Sequence, residues 1–378
     1  MSAGGDRDQW VAEWEECYRP GVEAVPWDRD RREADSVELV GLVGLVGLDQ
    51  DRQGVESPWR ARIAICQHKS MPIVTVADNN FPCKMGVMRK VFVLLGLAVF
   101  FAISLPAASL PDQVVFVGKE KYQALIKKGM AENWRSLPLG ERTVRAGLAL
   151  TGTPYENYTL ELHERIEAPS VNMRGMDCWT FFEIALGTAR ALKVSAHPTT
   201  KDMLRMIELD RYRGGRCNGI FTSRLHYLEQ WLQDNERRGL VADITPKLPG
   251  ARKLHRDMKE MSASWKSSKQ LRANRSLIPE MARIEAQLSK KGIWYVPNSK
   301  VAAAEKHLRN GDIISIVTTW PRGYTSHVGV AYRDKAGVLR FLHASRNERK
   351  VLVDSRLSTY VKRYKSNAGI MVARPKDI

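Results

Sequence analysis

The chain has 378 residues, with 59 Lys+Arg against 42 Asp+Glu, 44% apolar residues, five cysteines and eight histidines. That composition excludes a disordered, collagen-like or disulfide-stapled protein and predicts a folded chain of one or two domains. The charge is uneven: residues 1–109 carry 12 basic and 15 acidic residues, whereas residues 110–378 carry 47 and 27, a net +20.

Residues 1–84 do not read as a domain. Gly41 to Gly47 is a repeated GLV, and Trp, Arg and Asp are scattered without period, so this stretch is expected to be a non-native or disordered extension, with the true start at Met85 or Met88. Residues 85–109 read as a signal peptide. Met88-Arg89-Lys90 gives a positive start, and Val91 to Leu105 is an uncharged run too short to cross ~30 Å of hydrocarbon comfortably. Small residues follow at Ala107 and Ser109, and cleavage is expected after Ser109. A buried core helix is the alternative. No cysteine follows the apolar run, so no lipid anchor is indicated. The mature protein is therefore expected to be periplasmic or otherwise exported, with no stable membrane span. Export leaves Cys178 and Cys217, too few for a disulfide framework or a zinc ribbon, although one Cys178–Cys217 bridge stays open.

From residue 110 the pattern is helical over Lys119 to Leu148, broken at Pro138-Leu139-Gly140 and ending before the turn Thr151 to Tyr155. Trp179 to Leu192 is apolar nearly all round, which predicts a central buried helix with Cys178 in its first turn and Asp177 as its cap. Residues 198–290 read as a helical insertion, with His226 on a helix over Leu225 to Leu232. After Gly292 come short β-rich runs at 313–319, 328–333, 338–343, 351–353 and 370–373, two of them joined by a tight turn at Asp334 to Gly337. Helices followed by an antiparallel meander predict an α+β fold, with residues 110–378 forming one domain.

Three segments concentrate reactive side chains: Met176-Asp177-Cys178-Trp179-Thr180, Ser326-His327-Val328-Gly329-Val330 and Phe341-Leu342-His343-Ala344-Ser345. A thiol at a helix N-terminus meets unpaired N–H groups and the positive end of the dipole, which favour the thiolate. An attacking thiolate needs a neighbour to take and return a proton, and His327 is the candidate. The hairpin over 328–343 should bring His343 beside it as the group that fixes its tautomer; the two rings would then lie within roughly 6 Å. Structural roles compete at each position, since a cysteine on a buried helix is commonly just a small apolar residue. His163-Glu164 has no second histidine at i+3 or i+4 and the other histidines form no ligand cluster, so no metal or other cofactor is expected.

The order of Tyr155 in a Gly-x-Pro-Tyr turn, Asp177-Cys178 opening a helix, Gly311-Asp312 before a strand, Ser326-His327-Val328-Gly329 and His343-Ala344-Ser345 resembles the NlpC-type papain-like cysteine peptidases of bacterial cell walls. More narrowly, the Thr151 to Glu161 stretch, Asp177 to Glu183, Asp210 to Gly214 and Ser223 to Tyr227 with Trp231 are similar to the N-acetylmuramoyl-L-alanine amidase-like family over about residues 115–375. The resemblance implies a papain-like fold, with the Cys-bearing helix packed on an antiparallel sheet. It implies Cys178 as nucleophile, His327 as base and His343 as orienter, acting on peptidoglycan or muropeptide amide bonds, most of all MurNAc–L-Ala. Two features depart from it. Trp179 stands where relatives often carry a small polar residue, and the stretch between the Cys helix and the strands is long.

Candidate substrate contacts are Tyr155, Trp179, Arg211, His226 and Ser326. Tyr155 could steady the scissile carbonyl or simply pack in its turn; Arg211, with Asp210 and Arg213, could clamp a carboxylate or form surface ion pairs; His226 could touch substrate or be structural. Asp312 reads as a turn-shaping residue. The basic mature chain suits an anionic wall polymer, whereas nucleic acid is not an expected partner because no basic helix face or binding module is present. A stem-peptide endopeptidase, an acyltransferase and a catalytically silent wall-binding protein are the alternatives. Nothing in the sequence sets an oligomeric state.

Overall fold

The computed structural model describes residues 110–378; the extension expected at 1–84 and the signal segment expected at 85–109 lie outside the described residues. The helices used below are α1 (Lys119–Ala131), α2 (Leu139–Ala149), α3 (Cys178–Val194), α4 (Thr200–Arg211), α5 (Leu228–Arg237), α6 (Ile278–Lys291) and α7 (Leu357–Arg363), joined by shorter turns. The strands are β1 (Phe116–Val117), β2 (Val171–Asn172), β3 (Val241–Asp243), β4 (Arg252–Leu254), β5 (Ile293–Pro297), β6 (Ile313–Thr318), β7 (Thr325–Arg333), β8 (Leu339–Ser345), β9 (Lys350–Arg356) and β10 (Asn367–Pro375). This is an α+β arrangement of helices and an antiparallel sheet.

Helix α3 is the centre of the helical half. It is buried from Thr180 through Leu192 because α2 and α4 pack against it on one side and β7 and β8 on the other. A helix apolar all round is stable only when enclosed in this way. Its polar residues are neutralised in place: Arg190 pairs with Asp210, and Glu183 with Arg211, tying α3 to α4 through two buried ion pairs.

The main sheet runs in the order β4-β5-β10-β6-β7-β8-β9, with β3 also paired to β10. Strand β6 is buried at all six residues. Side chains alternate between two cores: Ile313, Val317, Met371 and Ala373 join the larger one with α3, while Ile314, Ile316, Ile370 and Val372 pack with Leu357 and Val361 of α7. A strand with cores on both faces reads as a near-continuous apolar run, as Ile313 to Val317 does apart from the buried Ser315. Gly311, at φ +82°, turns the chain into β6; a Cβ there would lie 2.3 Å from the Gly140 Cα at the start of α2, so only glycine lets these two segments meet.

Residues 198–290, expected to be mostly helical, hold α4, α5 and most of α6 together with two short strands. Between α5 and α6, β3 pairs with β10 and β4 with β5, so this stretch is woven into the sheet. Each of these strands is three residues long, too short for a period of two to stand out. Cys178 and Cys217 form no disulfide. Among the described residues, no helix is long and apolar enough to cross a membrane.

Candidate functional site

Cys178 occupies the first helical position of α3, and its local geometry is fixed by side chains on both flanks. The Thr180 N–H donates to Asp177 Oδ1 at 2.8 Å, and the Asp177 N–H donates to Thr180 Oγ1 at 3.0 Å, a reciprocal capping box. Thr159 donates to the other Asp177 oxygen at 3.1 Å, tying the preceding loop to the helix start. Asp177→Ala should therefore lower stability by about 1 kcal/mol in urea unfolding, and an unchanged midpoint would show that the cap is redundant. Tyr155 reaches this end of α3 through a parallel bridge to Met176, and its N–H donates to the Arg349 carbonyl at 2.9 Å. Trp179 is half-buried and leans on Phe182, which meets Trp231 edge-on.

The histidines come from β7 and β8. His327 Nε2 lies 2.7 Å from His343 Nδ1, with ring centroids 4.8 Å apart and planes nearly perpendicular, well inside the separation that the hairpin requires. Two local features of β7 permit this. Ile316 pairs with His327 and Val317 with Thr325, so Ser326 is the extra residue of a bulge and is turned out to solvent. Two residues beyond His327, a Cβ at Gly329 would sit 2.8 Å from the His343 Cβ and 2.7 Å from the Leu342 carbonyl oxygen, so a side chain there would displace the second imidazole.

His343 is 1% exposed, and its Nε2 lies 3.4 Å from Asp354 Oδ2 on β9. Arg363 of α7 grips that carboxylate with two N–H donors, at 2.8 and 3.2 Å. Tyr360 closes the cluster, its ring centroid 5.1 Å from His343 and 6.3 Å from His327. Burial, followed by repulsion from His343, holds the His327 imidazole well below its ordinary range. Burial likewise lowers His343, partly opposed by Asp354. The His343 hydrogen bond, followed by those from Arg363 and Ser355, holds Asp354 below the usual carboxylate range. Burial raises the Tyr360 phenol, and Tyr364 and Asp354 raise it further.

Two expected substrate contacts are engaged by protein partners. Arg211 is 1% exposed, donating to Glu183 at 2.8 Å and to Ser170 at 3.1 Å, so its guanidinium is held in a buried ion pair. Asp210 is likewise occupied by Arg190. His226 lies before α5, not on it, because Gln230 turns back to accept the His226 N–H at 2.8 Å and starts the helix at Leu228. Its Nε2 contacts the Phe221 carbonyl at 2.9 Å, its ring packs on Phe221, and burial holds its pKa well below the ordinary value. Asp312 shapes its turn by accepting the Arg309 N–H and pairs with Arg374. Asp354, Tyr360 and Arg363 are the members that sequence reasoning missed. The signal available was an acid ending the apolar run Val351-Leu352-Val353 on the strand after His343. Among the described residues, no group of three His, Cys, Asp or Glu side chains is arranged to hold a metal ion.

This architecture has solved counterparts. An N-acetylmuramoyl-L-alanine amidase from Bacteroides uniformis is 30% identical, the match covering 63% of this chain and 99% of that one, with a TM-score of 0.58. A Bacteroides fragilis protein provisionally named a xylanase is 36% identical over 60% of this chain and 98% of its own, with a TM-score of 0.55. A Legionella pneumophila protein shares the fold at 19% identity, covering 68% of this chain and 96% of that one, with a TM-score of 0.53. No curated protein matches the chain. The family described as N-acetylmuramoyl-L-alanine amidase-like matches residues 145–370, a span that contains Cys178, both histidines of the cluster and Asp354, and the chain belongs to that family.

Proposed function

We propose that the protein is an exported cysteine amidase that hydrolyses the MurNAc–L-Ala bond of peptidoglycan or its muropeptide fragments, using an NlpC-type papain-like arrangement. The observation that carries the reading is the 2.7 Å contact between His327 Nε2 and His343 Nδ1 in a chain of this amidase-like family whose central helix opens at Cys178. The Cys178 thiolate attacks the lactyl carbonyl carbon of the muramyl group, forming a C–S bond. The oxyanion is met by the Cys178 backbone N–H at the helix start, with the Tyr155 hydroxyl as a second donor. Collapse breaks the C–N bond as His327 returns the thiol proton to the departing amine of L-Ala. Water, deprotonated by His327, then attacks the thioester and restores the thiolate. On this reading Trp179 and the solvent-facing Ser326 contact the substrate. The net +20 of residues 110–378 concentrates the protein on anionic wall polymer.

Mass analysis of the products from a defined muropeptide tests the reading. The expected pair is a free muramyl sugar and an intact peptide, whereas a split peptide would make the protein an endopeptidase. The pH profile gives a second check. Because His327 is held well below its ordinary value of 6.5, its neutral, proton-accepting form persists as pH falls through that value. The acid limb of kcat/KM should therefore fall below pH 6.5; an acid limb at 7 or above would show that another group is the base.

A further inference from the structure

We propose that Asp354, held by Arg363 in a bulge of β9, is a positioning residue that selects the tautomer of both imidazoles and so leaves His327 Nδ1 as the proton acceptor. The inference rests on the amidase reading for its effect on rate, but not for its effect on the rings. His343 Nε2 faces Asp354 Oδ2 at 3.4 Å, and His343 Nδ1 faces His327 Nε2 at 2.7 Å. Two neutral imidazoles in this contact share one proton between them, which can sit on either nitrogen. If His343 carries its proton on Nδ1, its Nε2 lone pair points at a carboxylate, setting two acceptors against each other. If the proton is on Nε2, His343 donates to Asp354, its Nδ1 accepts from His327 Nε2–H, and His327 Nδ1 keeps the lone pair. Only the second pattern satisfies every group and leaves a base.

The sheet is built to place this carboxylate. Arg340 pairs with Arg356 but Leu342 pairs with Val353, so Asp354 and Ser355 together oppose Phe341 alone. A bulge of this kind re-aims side chains, and here it brings Asp354 beside a histidine whose register partner is Leu352. The groups facing His343 are His327 from β7, Asp354 from β9, and Tyr360 with Arg363 from α7. Arg363 also lies over the Tyr360 ring at 5.6 Å, so one guanidinium anchors both the carboxylate and the aromatic wall. No other cation in this group competes for Asp354, and the paired guanidinium keeps it ionised and available as an acceptor.

The test uses the full chain labelled with ¹⁵N-histidine, with His343 assigned by the signals lost in His343→Gln. Long-range ¹H–¹⁵N correlation at pH 8 should show His343 protonated at Nε2 in the parent protein. In Asp354→Asn the side-chain amide can donate to Nε2, and the proton should move to Nδ1; Asp354→Glu, which retains a carboxylate, should restore the parent pattern. In the same Asn variant kcat/KM on a muropeptide should fall about 100-fold or more, with unchanged near-UV circular dichroism. An Asn variant with His343 still protonated at Nε2 and kcat/KM within about threefold of the parent overturns the proposal. Failure of the parent protein to cleave any muropeptide would overturn the amidase reading while the tautomer measurement still judged Asp354.

Discussion

Cys178→Ala is expected to reduce hydrolysis of a muropeptide by at least about 10⁴-fold while leaving the folded structure intact. Cys178 sits at the first position of α3, half-buried at the edge of the larger core, and the helix start is held by Asp177 and Thr180 backbone and side-chain bonds in which the thiol takes no part. Replacing sulfur with hydrogen therefore removes a small apolar group and the nucleophile, not the cap. Thermal unfolding should move little, whereas product formation, read by mass spectrometry, should fall to background. A variant that retains a tenth or more of the parent rate would mean that the thiol is only a packing residue.

The second large effect is on stability. Arg211→Met should lower stability by about 3–5 kcal/mol, because it leaves the Glu183 carboxylate buried without its guanidinium partner. Burial already pushes Glu183 above the usual carboxylate range, with Arg211 pulling it back; without that pull burial raises the carboxyl further. In a domain of this size each kcal/mol corresponds to roughly 2–4 °C, so Tm should fall by about 6–20 °C. Below the lowered Tm, muropeptide hydrolysis should continue near the parent rate. A loss of activity with unchanged Tm would instead restore Arg211 as a substrate clamp.

The contrast between these residues explains what could be read from sequence. The ring-to-ring approach of His327 and His343 was legible because a hairpin fixes register by its own turn: Asp334 and Val338 close it, and Gly337 at φ +78° supplies the left-handed residue it needs. The start of α3 was legible because Asp177 is a local capping signal. Arg211 was not, since a charged residue at the end of an amphipathic helix reads as exposed, and its burial depends on Glu183, 28 residues earlier. His226 was misplaced by one turn because an apolar pattern does not reveal that Gln230 caps the helix from inside. Asp354 required a bulge two strands away from His327, and bulges leave no mark in the alternation of a seven-residue strand such as β9. Local chemistry is written in sequence; partners brought by tertiary packing are not.

Partitioning of the acyl intermediate tests the central claim most directly. With hydroxylamine present during cleavage of a defined muropeptide, a Cys178 thioester of the muramyl lactyl group would be intercepted, its C–S bond replaced by a C–N bond with release of the thiol. The expected products are intact peptide and a muramyl hydroxamate whose share rises with hydroxylamine concentration. N-acetylmuramic acid as the sole sugar product at every concentration, with the peptide still released, would show that water attacks the amide without a thioester.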